Sequence, residues 1–230
     1  MWADGGIFEN WLRFAGDRGI AAYAINLRGH ADSFPVEIGS VSTADCVADL
    51  KVFIDKIGKC VLVGHSSGGL IAQKTASEDP RVRGAVFVAT APPRWILPEG
   101  EILWRMLRPE YLSAAFSNRP FKLRFDDACA TNLSQVKERE KVFERFIPDS
   151  GRMAREMGFL GVAVDPKKIV CPTMVIGGRH DRMIPPEVQR AVAKKYCSRY
   201  EEFPTGHLPM LEPGWREVIR RSIDFSAGCI

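Results

Sequence analysis

Residues 59–70 read Lys-Cys-Val-Leu-Val-Gly-His-Ser-Ser-Gly-Gly-Leu, and residues 64–68 within them form the motif G-x-S-x-G. The apolar, β-branched run before the motif is typical of a buried parallel strand, and residues 70–77 after it favour a helix. A serine on the sharp turn between such elements stands exposed at the helix N-terminus, where backbone N–H groups stabilise a developing negative charge. The context therefore predicts that Ser66 is a nucleophile; the alternative is a Gly/Ser-rich turn without chemistry.

The composition is that of an ordinary globular domain. The 230 residues are 46% hydrophobic and 26% charged, which is enough to bury a substantial core. The net charge is only +4 and the basic residues are scattered, so nothing indicates nucleic-acid binding. The sequence has no apolar run of membrane length and does not begin like a signal peptide. We therefore expect a cytoplasmic protein that binds neither nucleic acid nor membrane.

Cysteine usage fits that expectation. The six cysteines, at positions 46, 60, 129, 171, 197 and 229, form no C-x-x-C pair and have no metal-ligand spacing with histidine. Several lie in apolar runs, as reduced and mostly buried thiols do. The sequence predicts no metal site, and no organic cofactor is implied.

Helices and buried strands alternate around the motif. Residues 8–15 have helical spacing, and residues 20–27 form an apolar run that predicts a buried strand. Ser42 and Asp45 form a capping-box pattern at the start of another amphipathic helix, and residues 82–89 predict a further strand. This alternation predicts an α/β fold with a mostly parallel sheet flanked by helices.

The alternation stops in residues 93–165, where we find amphipathic segments and no strand. These segments are residues 101–108, 109–117, 134–147 and 152–159. We interpret this region as a helical cap inserted after a strand, over the sheet edge where ligands bind, between the two parts of the core, residues 1–92 and 166–230. Trp95, Trp104 and Met106 are candidate substrate-binding residues in an acyl pocket, although packing within the cap explains them equally well.

A serine nucleophile needs a base and an acid that orients the base. The chain has four candidate bases: His30, His65, His180 and His207. His65 adjoins the serine within the turn, whereas His207 lies in a Gly-His turn after the predicted strand at residues 200–203. Asp181 likewise follows the predicted strand at residues 173–176. Because parallel strands end at one edge of the sheet, we expect Asp181 and His207 to lie near Ser66.

These motifs together resemble the α/β-hydrolase fold over almost the whole chain. Residues 27–30 resemble its D-x-R-G-H-G loop, residues 64–68 its nucleophile elbow, residues 177–181 its acid loop, and Gly206-His207 with Glu212 its histidine loop. The resemblance implies that Ser66 is the nucleophile, His207 the general base and then acid, and Asp181 the orienting carboxylate. It also implies that the Ser67 N–H contributes to an oxyanion hole.

The start of the chain departs from this pattern. In the family, a strand ending in His-Gly precedes the first helix, and the next residue supplies the second oxyanion-hole N–H. Residues 1–6 resemble the stretch directly after His-Gly, so we expect that strand to be absent, with the backbone of Met1 or Trp2 as the second donor. The family places the strand between the counterparts of residues 20–27 and 60–63. We therefore expect a gap in the sheet beside a poorly held first helix and first strand.

The sequence predicts a serine hydrolase that cleaves a carboxylic ester or related small acyl substrate through an acyl-enzyme on Ser66. The same fold and triad also serve thioesterases, amidases, C–C hydrolases, perhydrolases and hydroxynitrile lyases. A third interpretation is a binding protein whose oxyanion hole is impaired by the missing strand. The physiological substrate, the acyl length and the formation of a homodimer are left open.

Overall fold

Strands and helices alternate on both sides of a helical insertion in the computed structural model, which describes residues 1–97 and 101–229 apart from the Leu103 side chain. The strands are β1 (Cys60–His65), β2 (Val82–Val88), β3 (Pro120–Phe121), β4 (Asp149–Ser150), β5 (Thr173–Gly178) and β6 (Arg199–Phe203). The helices are α1 (Glu9–Gly16), α2 (Thr43–Ile57), α3 (Ser67–Ala76), α4 (Glu101–Met106), α5 (Pro109–Phe116), α6 (Phe125–Ala130), α7 (Arg139–Glu144), α8 (Gly151–Arg155), α9 (Pro186–Tyr196) and α10 (Trp215–Ala227).

A four-stranded parallel sheet in the order β1-β2-β5-β6 forms the centre of the fold. Its central strands alternate between two cores. Val86, Val88 and Ile176 pack in one core with α1 and α10, and Phe87 and Val175 pack in the other with α2, α3 and α9. A strand covered on both faces is apolar at every position, which explains the continuous apolar runs in the sequence. The predicted α/β class is confirmed.

The predicted capping box at the start of α2 is also confirmed. The Ser42 Oγ accepts the Asp45 N–H at 3.1 Å, and the Asp45 carboxylate accepts the Ser42 N–H at 2.8 Å. This reciprocal pair satisfies two backbone donors that the first turn leaves free. It fixes where α2 begins and so where this helix packs against α3.

The prediction of a strand at residues 20–27 is wrong. The segment forms no strand, and its Ala21, Ala22 and Tyr23 side chains are exposed. β1 is the terminal strand of the sheet, and a cavity lined by both β1 and residues 20–25 separates the two. An apolar run becomes a strand only when a neighbouring strand accepts and donates its hydrogen bonds, and among the described residues no strand pairs with this segment.

The insertion between β2 and β5 differs in detail from the prediction. It contains a two-stranded antiparallel sheet, in which Pro120 pairs with Ser150 and Phe121 with Asp149, where we expected no strand. The helix expected at residues 134–147 shortens to α7, because Val136 and Phe146 are buried from turns on either side of it. Among residues 1–97 and 101–229, no helix has the length and apolarity needed to cross a bilayer.

Candidate active site

Ser66 occupies a strained turn between β1 and α3. Its φ of 53° and ψ of −123° lie in a region that side chains other than glycine rarely adopt. Two hydrogen bonds to the end of β2 and the loop after it hold Ser66 there: the Ser66 N–H donates to the Val88 carbonyl, and the Ser66 carbonyl accepts from the Ala91 N–H, each at 3.0 Å. The turn therefore projects the Ser66 side chain from the carboxyl edge of the sheet.

Glycines allow this turn to form, but only one of the two motif glycines, Gly64, is required by close contacts. A Cβ on Gly64 would overlap the carbonyl oxygen of Gly68 and lie 2.8 Å from the Cα of Gly69, and a Cβ on Gly69 would overlap Thr90. A Cβ on Gly68 would meet no atom within 4 Å. The close approach that requires glycine thus lies at Gly64 and Gly69.

The structure brings the three residues of the predicted triad together. The Nε2 of His207 lies 3.1 Å from the Ser66 Oγ, and its Nδ1 lies 2.9 Å from the Asp181 Oδ2. The other oxygen of Asp181 accepts the N–H groups of Met183 and Ile184 at 2.8 and 2.9 Å. A carboxylate can only accept, so Nδ1 carries the proton and Nε2 is left to accept from the serine.

Glu212 fixes the loop that carries His207. Its buried carboxylate accepts the N–H of Gly206 with one oxygen and the N–H of Leu208, at 3.1 Å, with the other. Burial raises the pKa of Glu212, and these two donors oppose that shift. The side chain therefore holds the backbone immediately before and after His207.

The backbone near Ser66 offers two nitrogens for an oxyanion site. The Ser67 N–H is the first of α3 and has no acceptor within the helix. The Met1 nitrogen is a buried ammonium group that donates to the Ser67 Oγ at 2.6 Å, and burial lowers its pKa. The Trp2 N–H donates instead to the Asp149 Oδ2 at 2.8 Å, so of the two second donors expected from the sequence only Met1 faces the turn.

A cavity of about 800 Å³ contains Ser66 and His207 in its lining and extends into the space beside β1. The residues that line it from the insertion are Asn132, Val142, Arg145 and Phe146. Sequence reasoning missed them because the helical spacing of Val142, Arg145 and Phe146 indicates only a packed helix face, and no local pattern relates Asn132 to that face. Phe8, Leu208 and Leu211 add apolar surface, so most of the side chains named here are apolar.

The candidate substrate-binding residues lie elsewhere. The Trp95 and Trp104 side chains are 87% and 77% exposed, and neither lines the cavity. Met106 is partly buried against the main core. Helical spacing places Trp104 on the face of α4 opposite the buried Ile102, which explains why the pattern suggested a pocket that this helix does not form.

The cysteines of the described residues form no disulfide, and Cys46 has the most strongly shifted pKa among them. All six cysteines are free thiols, and burial raises the pKa of Cys46 to about 12, so this thiol is inert as a nucleophile. In the part of the chain that the structure describes, no three His, Cys, Asp or Glu side chains are grouped so as to hold a metal ion.

Comparison with solved structures shows the same fold in several hydrolases. The chain is similar to a monoacylglycerol lipase from Paleococcus ferrophilus, with 17% identity, a TM-score of 0.76 and coverage of 100% of this chain and 92% of that one. It is also similar to an extracellular α/β-hydrolase from a Paenibacillus species, with 17% identity, a TM-score of 0.72 and coverage of 97% and 94%. A methylesterase from Arabidopsis is similar as well, with 12% identity, a TM-score of 0.74 and coverage of 97% of this chain and 95% of that one.

No curated protein matches the chain. A family model described as the alpha/beta hydrolase family matches residues 1–220, which include the turn at Ser66, the acid loop and the histidine loop. The chain therefore belongs to the α/β hydrolase family.

Proposed function

We propose that the protein is a serine hydrolase that cleaves a small carboxylic ester through an acyl-enzyme on Ser66. The observation that carries the proposal is the continuous hydrogen-bonded series from Asp181 through His207 to Ser66, with distances of 2.9 and 3.1 Å. Both distances are within the reach needed for proton transfer between a nucleophile and its base.

The chemistry follows from the protonation state of His207. Its Nε2 takes the proton of the Ser66 hydroxyl while Oγ attacks the ester carbonyl, and Asp181 stabilises the imidazolium that forms. The tetrahedral intermediate collapses, the C–O bond to the alcohol breaks, and Nε2 returns the proton to the leaving oxygen. Water then attacks the acyl-enzyme by the same route, which releases the acid and regenerates Ser66.

The negative charge of the intermediate needs donors that are already in place. The Ser67 N–H at the start of α3 and the nitrogen of Met1 are the groups we assign to this role, and the dipole of α3 favours the same charge. Removal of one such donor in a serine hydrolase lowers turnover by about 10²–10³-fold. The geometry at Met1 is therefore as important to the proposal as the triad.

The lining of the cavity supports a largely apolar acyl group. Its apolar side chains suit the hydrocarbon part of an ester, and the Asn132 amide and Arg145 guanidinium offer polar contacts on the side of the insertion. Two of the similar structures are named as a lipase and a methylesterase, which favours an ester over an amide or a thioester. We infer that the cavity, and not the exposed Trp95 and Trp104, selects the substrate.

The decisive experiment is labelling with a fluorophosphonate, followed by mass spectrometry of the labelled peptide. We expect a phosphonyl group on Ser66, with loss of fluoride, and hydrolysis of short p-nitrophenyl esters. Both should vanish in Ser66→Ala and persist in Ser117→Ala, which removes an exposed serine hydroxyl outside the cavity.

The other interpretations give different results in the same assay. Labelling at Ser66 with cleavage of thioesters or amides but not of esters would reassign the substrate within the same chemistry. A folded wild-type chain that takes no label would overturn the proposal and favour a ligand-binding protein.

A further inference from the structure

A buried ion pair lies outside the predicted triad, between His30 and Asp149. The Nε2 of His30 is 3.2 Å from the Asp149 Oδ2, and the two side chains are only 3% and 2% exposed. The Nδ1 of His30 is 3.1 Å from the Arg28 carbonyl oxygen. Because a carbonyl and a carboxylate can only accept, both ring nitrogens of His30 act as donors, which is the arrangement of a charged imidazolium.

Asp149 uses its remaining acceptor capacity on the backbone. Its Oδ2 also accepts the Trp2 N–H at 2.8 Å, and its Oδ1 accepts the Ser150 N–H at 2.6 Å. Three parts of the chain therefore meet at one carboxylate: the N-terminal segment, the loop that carries His30, and β4 of the insertion.

Trp2 makes further contacts with the insertion through its carbonyl group and its side chain. Its carbonyl accepts the Ile147 N–H at 3.0 Å, its indole N–H donates to the Phe121 carbonyl at 3.2 Å, and its ring packs edge-on against the Phe121 ring. Its φ of 63° is a left-handed conformation that is unfavourable for tryptophan. Such a conformation persists only where the surrounding contacts determine it, and strain of this kind is concentrated at functional sites.

The next group along the chain is the Met1 nitrogen, which lies 2.6 Å from the Ser67 Oγ. The peptide between Met1 and Trp2 is planar, so the hydrogen bond from the Trp2 N–H to Asp149 fixes the position of the Met1 Cα, which lies in that plane. The Met1 nitrogen is bonded to this Cα, and its hydrogen bond to the Ser67 Oγ sets the remaining rotation about the Cα–C bond. A shift of Asp149 would therefore move the Met1 Cα, and the nitrogen with it, relative to the turn at Ser66.

We propose that Asp149, paired with His30, is a positioning residue that holds the Trp2 backbone and thereby places the Met1 nitrogen as the second oxyanion donor. Neither His30 nor Asp149 lines the cavity that contains Ser66. The proposal rests on the proposed function, since it assigns a role in the same oxyanion site. It gives a role to a buried carboxylate of the insertion that binds the backbone of a different part of the chain.

The test compares two near-isosteric substitutions of buried aspartates in the insertion. In Asp149→Asn the carboxamide has one uncharged acceptor oxygen in place of two charged ones, so either the Ser150 donor or the Trp2 and His30 donors lose their acceptor, and the hydrogen bonds that remain are weaker. Asp127→Asn is the matched control: Asp127 is also fully buried and ion-paired, with Arg105 and Arg108, but it does not contact Trp2.

With a p-nitrophenyl ester, measured where each variant is fully folded, we expect Asp149→Asn to lower kcat by about 10–100-fold and to leave KM within about twofold. Asp127→Asn should lower the melting temperature but leave kcat within about twofold. Equal losses of kcat in the two variants, or an unchanged kcat in Asp149→Asn, would overturn the proposal. His30→Gln removes the charge but retains one donor, so it should lower kcat by less than Asp149→Asn does. It replaces Asp149→Asn in the test if that variant does not fold.

Hydrogen exchange provides a readout that does not depend on activity. In the peptide covering residues 1–3, the Trp2 amide should exchange at least about 10-fold faster in Asp149→Asn than in the wild type, and at the wild-type rate in Asp127→Asn. Unchanged exchange in Asp149→Asn would refute the positioning role. A wild-type chain that hydrolyses no ester would instead refute the proposed function, while the exchange result would still decide whether Asp149 holds Trp2.

Discussion

The Nε2 of His65 lies 2.7 Å from the carbonyl oxygen of His207. The residue next to the candidate nucleophile thus binds the backbone of the candidate base, and the two rings pack with their centroids 4.9 Å apart. Because a carbonyl only accepts, Nε2 of His65 carries a proton. Burial, together with the nearby His207, lowers the pKa of His65 well below 6.5, so this imidazole is neutral at pH 7.

Replacement of His65 should therefore affect catalysis through the position of His207. His65→Phe keeps a ring but loses the donor to the His207 carbonyl, and a hydrogen bond of this kind is worth about 0.5–1.5 kcal/mol. We expect kcat/KM for an ester to fall by about 2–10-fold. His180→Gln changes an exposed histidine and should leave kcat/KM unchanged, so an equal effect of the two substitutions would contradict this prediction.

Glu212 should be required for both stability and activity. In Glu212→Gln, an amide NH₂ replaces one of the two oxygens that accept the Gly206 and Leu208 N–H groups, so one buried donor is left unpaired. We expect a loss of about 1–3 kcal/mol in unfolding free energy, measured by urea denaturation, together with a lower kcat. Glu217→Gln, at the exposed start of α10, should have little effect on either quantity.

The buried pair of His30 and Asp149 predicts a pH-dependent stability. Burial opposes both charges, but the hydrogen bond and charge of Asp149 raise the pKa of His30 above 6.5, and His30 lowers the pKa of Asp149 below 3.8. Because the pKa of His30 is raised in the folded state, its charge stabilises the fold fully below pH 6.5. This contribution is lost as the pH rises through the raised pKa. Because the pKa of Asp149 is lowered in the folded state, its charge stabilises the fold fully above pH 3.8. This contribution is lost as the pH falls through the lowered pKa.

His30→Gln should therefore destabilise the protein most between about pH 3.8 and 6.5. Removal of one partner of a buried ion pair costs about 3–5 kcal/mol, and the difference from the wild type should narrow at alkaline pH, where the wild type itself loses the charge on His30. Urea denaturation at pH 5.5, 7 and 9 measures this difference. A constant difference across the three values would show that the pair is not ionic.

Local sequence patterns predicted the four strands of the parallel sheet and the three residues that meet at its edge, but they also predicted an absent strand at residues 20–27 and gave none of the supporting contacts. The apolar runs of β1, β2 and β5 and the order of Ser66, Asp181 and His207 are each read within a few residues. The contact between His30 and Asp149 joins residues 119 positions apart, and no periodicity relates them. The exposure of Trp95 and Trp104 depends on which side of the insertion faces the core. The spacing of apolar residues in the sequence does not determine that side.

Residues 20–27 also show that a local apolar pattern does not determine whether a strand forms. Their lack of pairing has a consequence that hydrogen exchange can measure. In the part of the chain that the structure describes, the N–H groups of residues 21–27 donate to no acceptor, whereas those of β5 are bonded to strands on both sides. We expect amides 21–27 to exchange by local fluctuation, orders of magnitude faster than those of Met174, Val175 and Ile176. Protection similar to that of β5 would mean that another backbone pairs with this segment.

The two glycines of the motif should differ in their tolerance of a side chain. Gly64→Ala places a methyl group against the Gly68 carbonyl, and neither backbone can retreat because the turn is bonded to β2 through Ser66. We expect a loss of several kcal/mol in unfolding free energy, or failure to fold, since strain at such a site is among the largest single effects.

Gly68→Ala meets open space in the first turn of α3 and removes the flexibility of glycine from a helix. It should be neutral, or stabilising by about 0.5–1 kcal/mol in urea denaturation. Equal destabilisation by the two substitutions would show that the motif requires glycine at both positions for a reason other than the close approach at Gly64. The predicted difference assigns that requirement to Gly64, and it leaves Gly68 open to variation wherever the substrate cavity does not need the space.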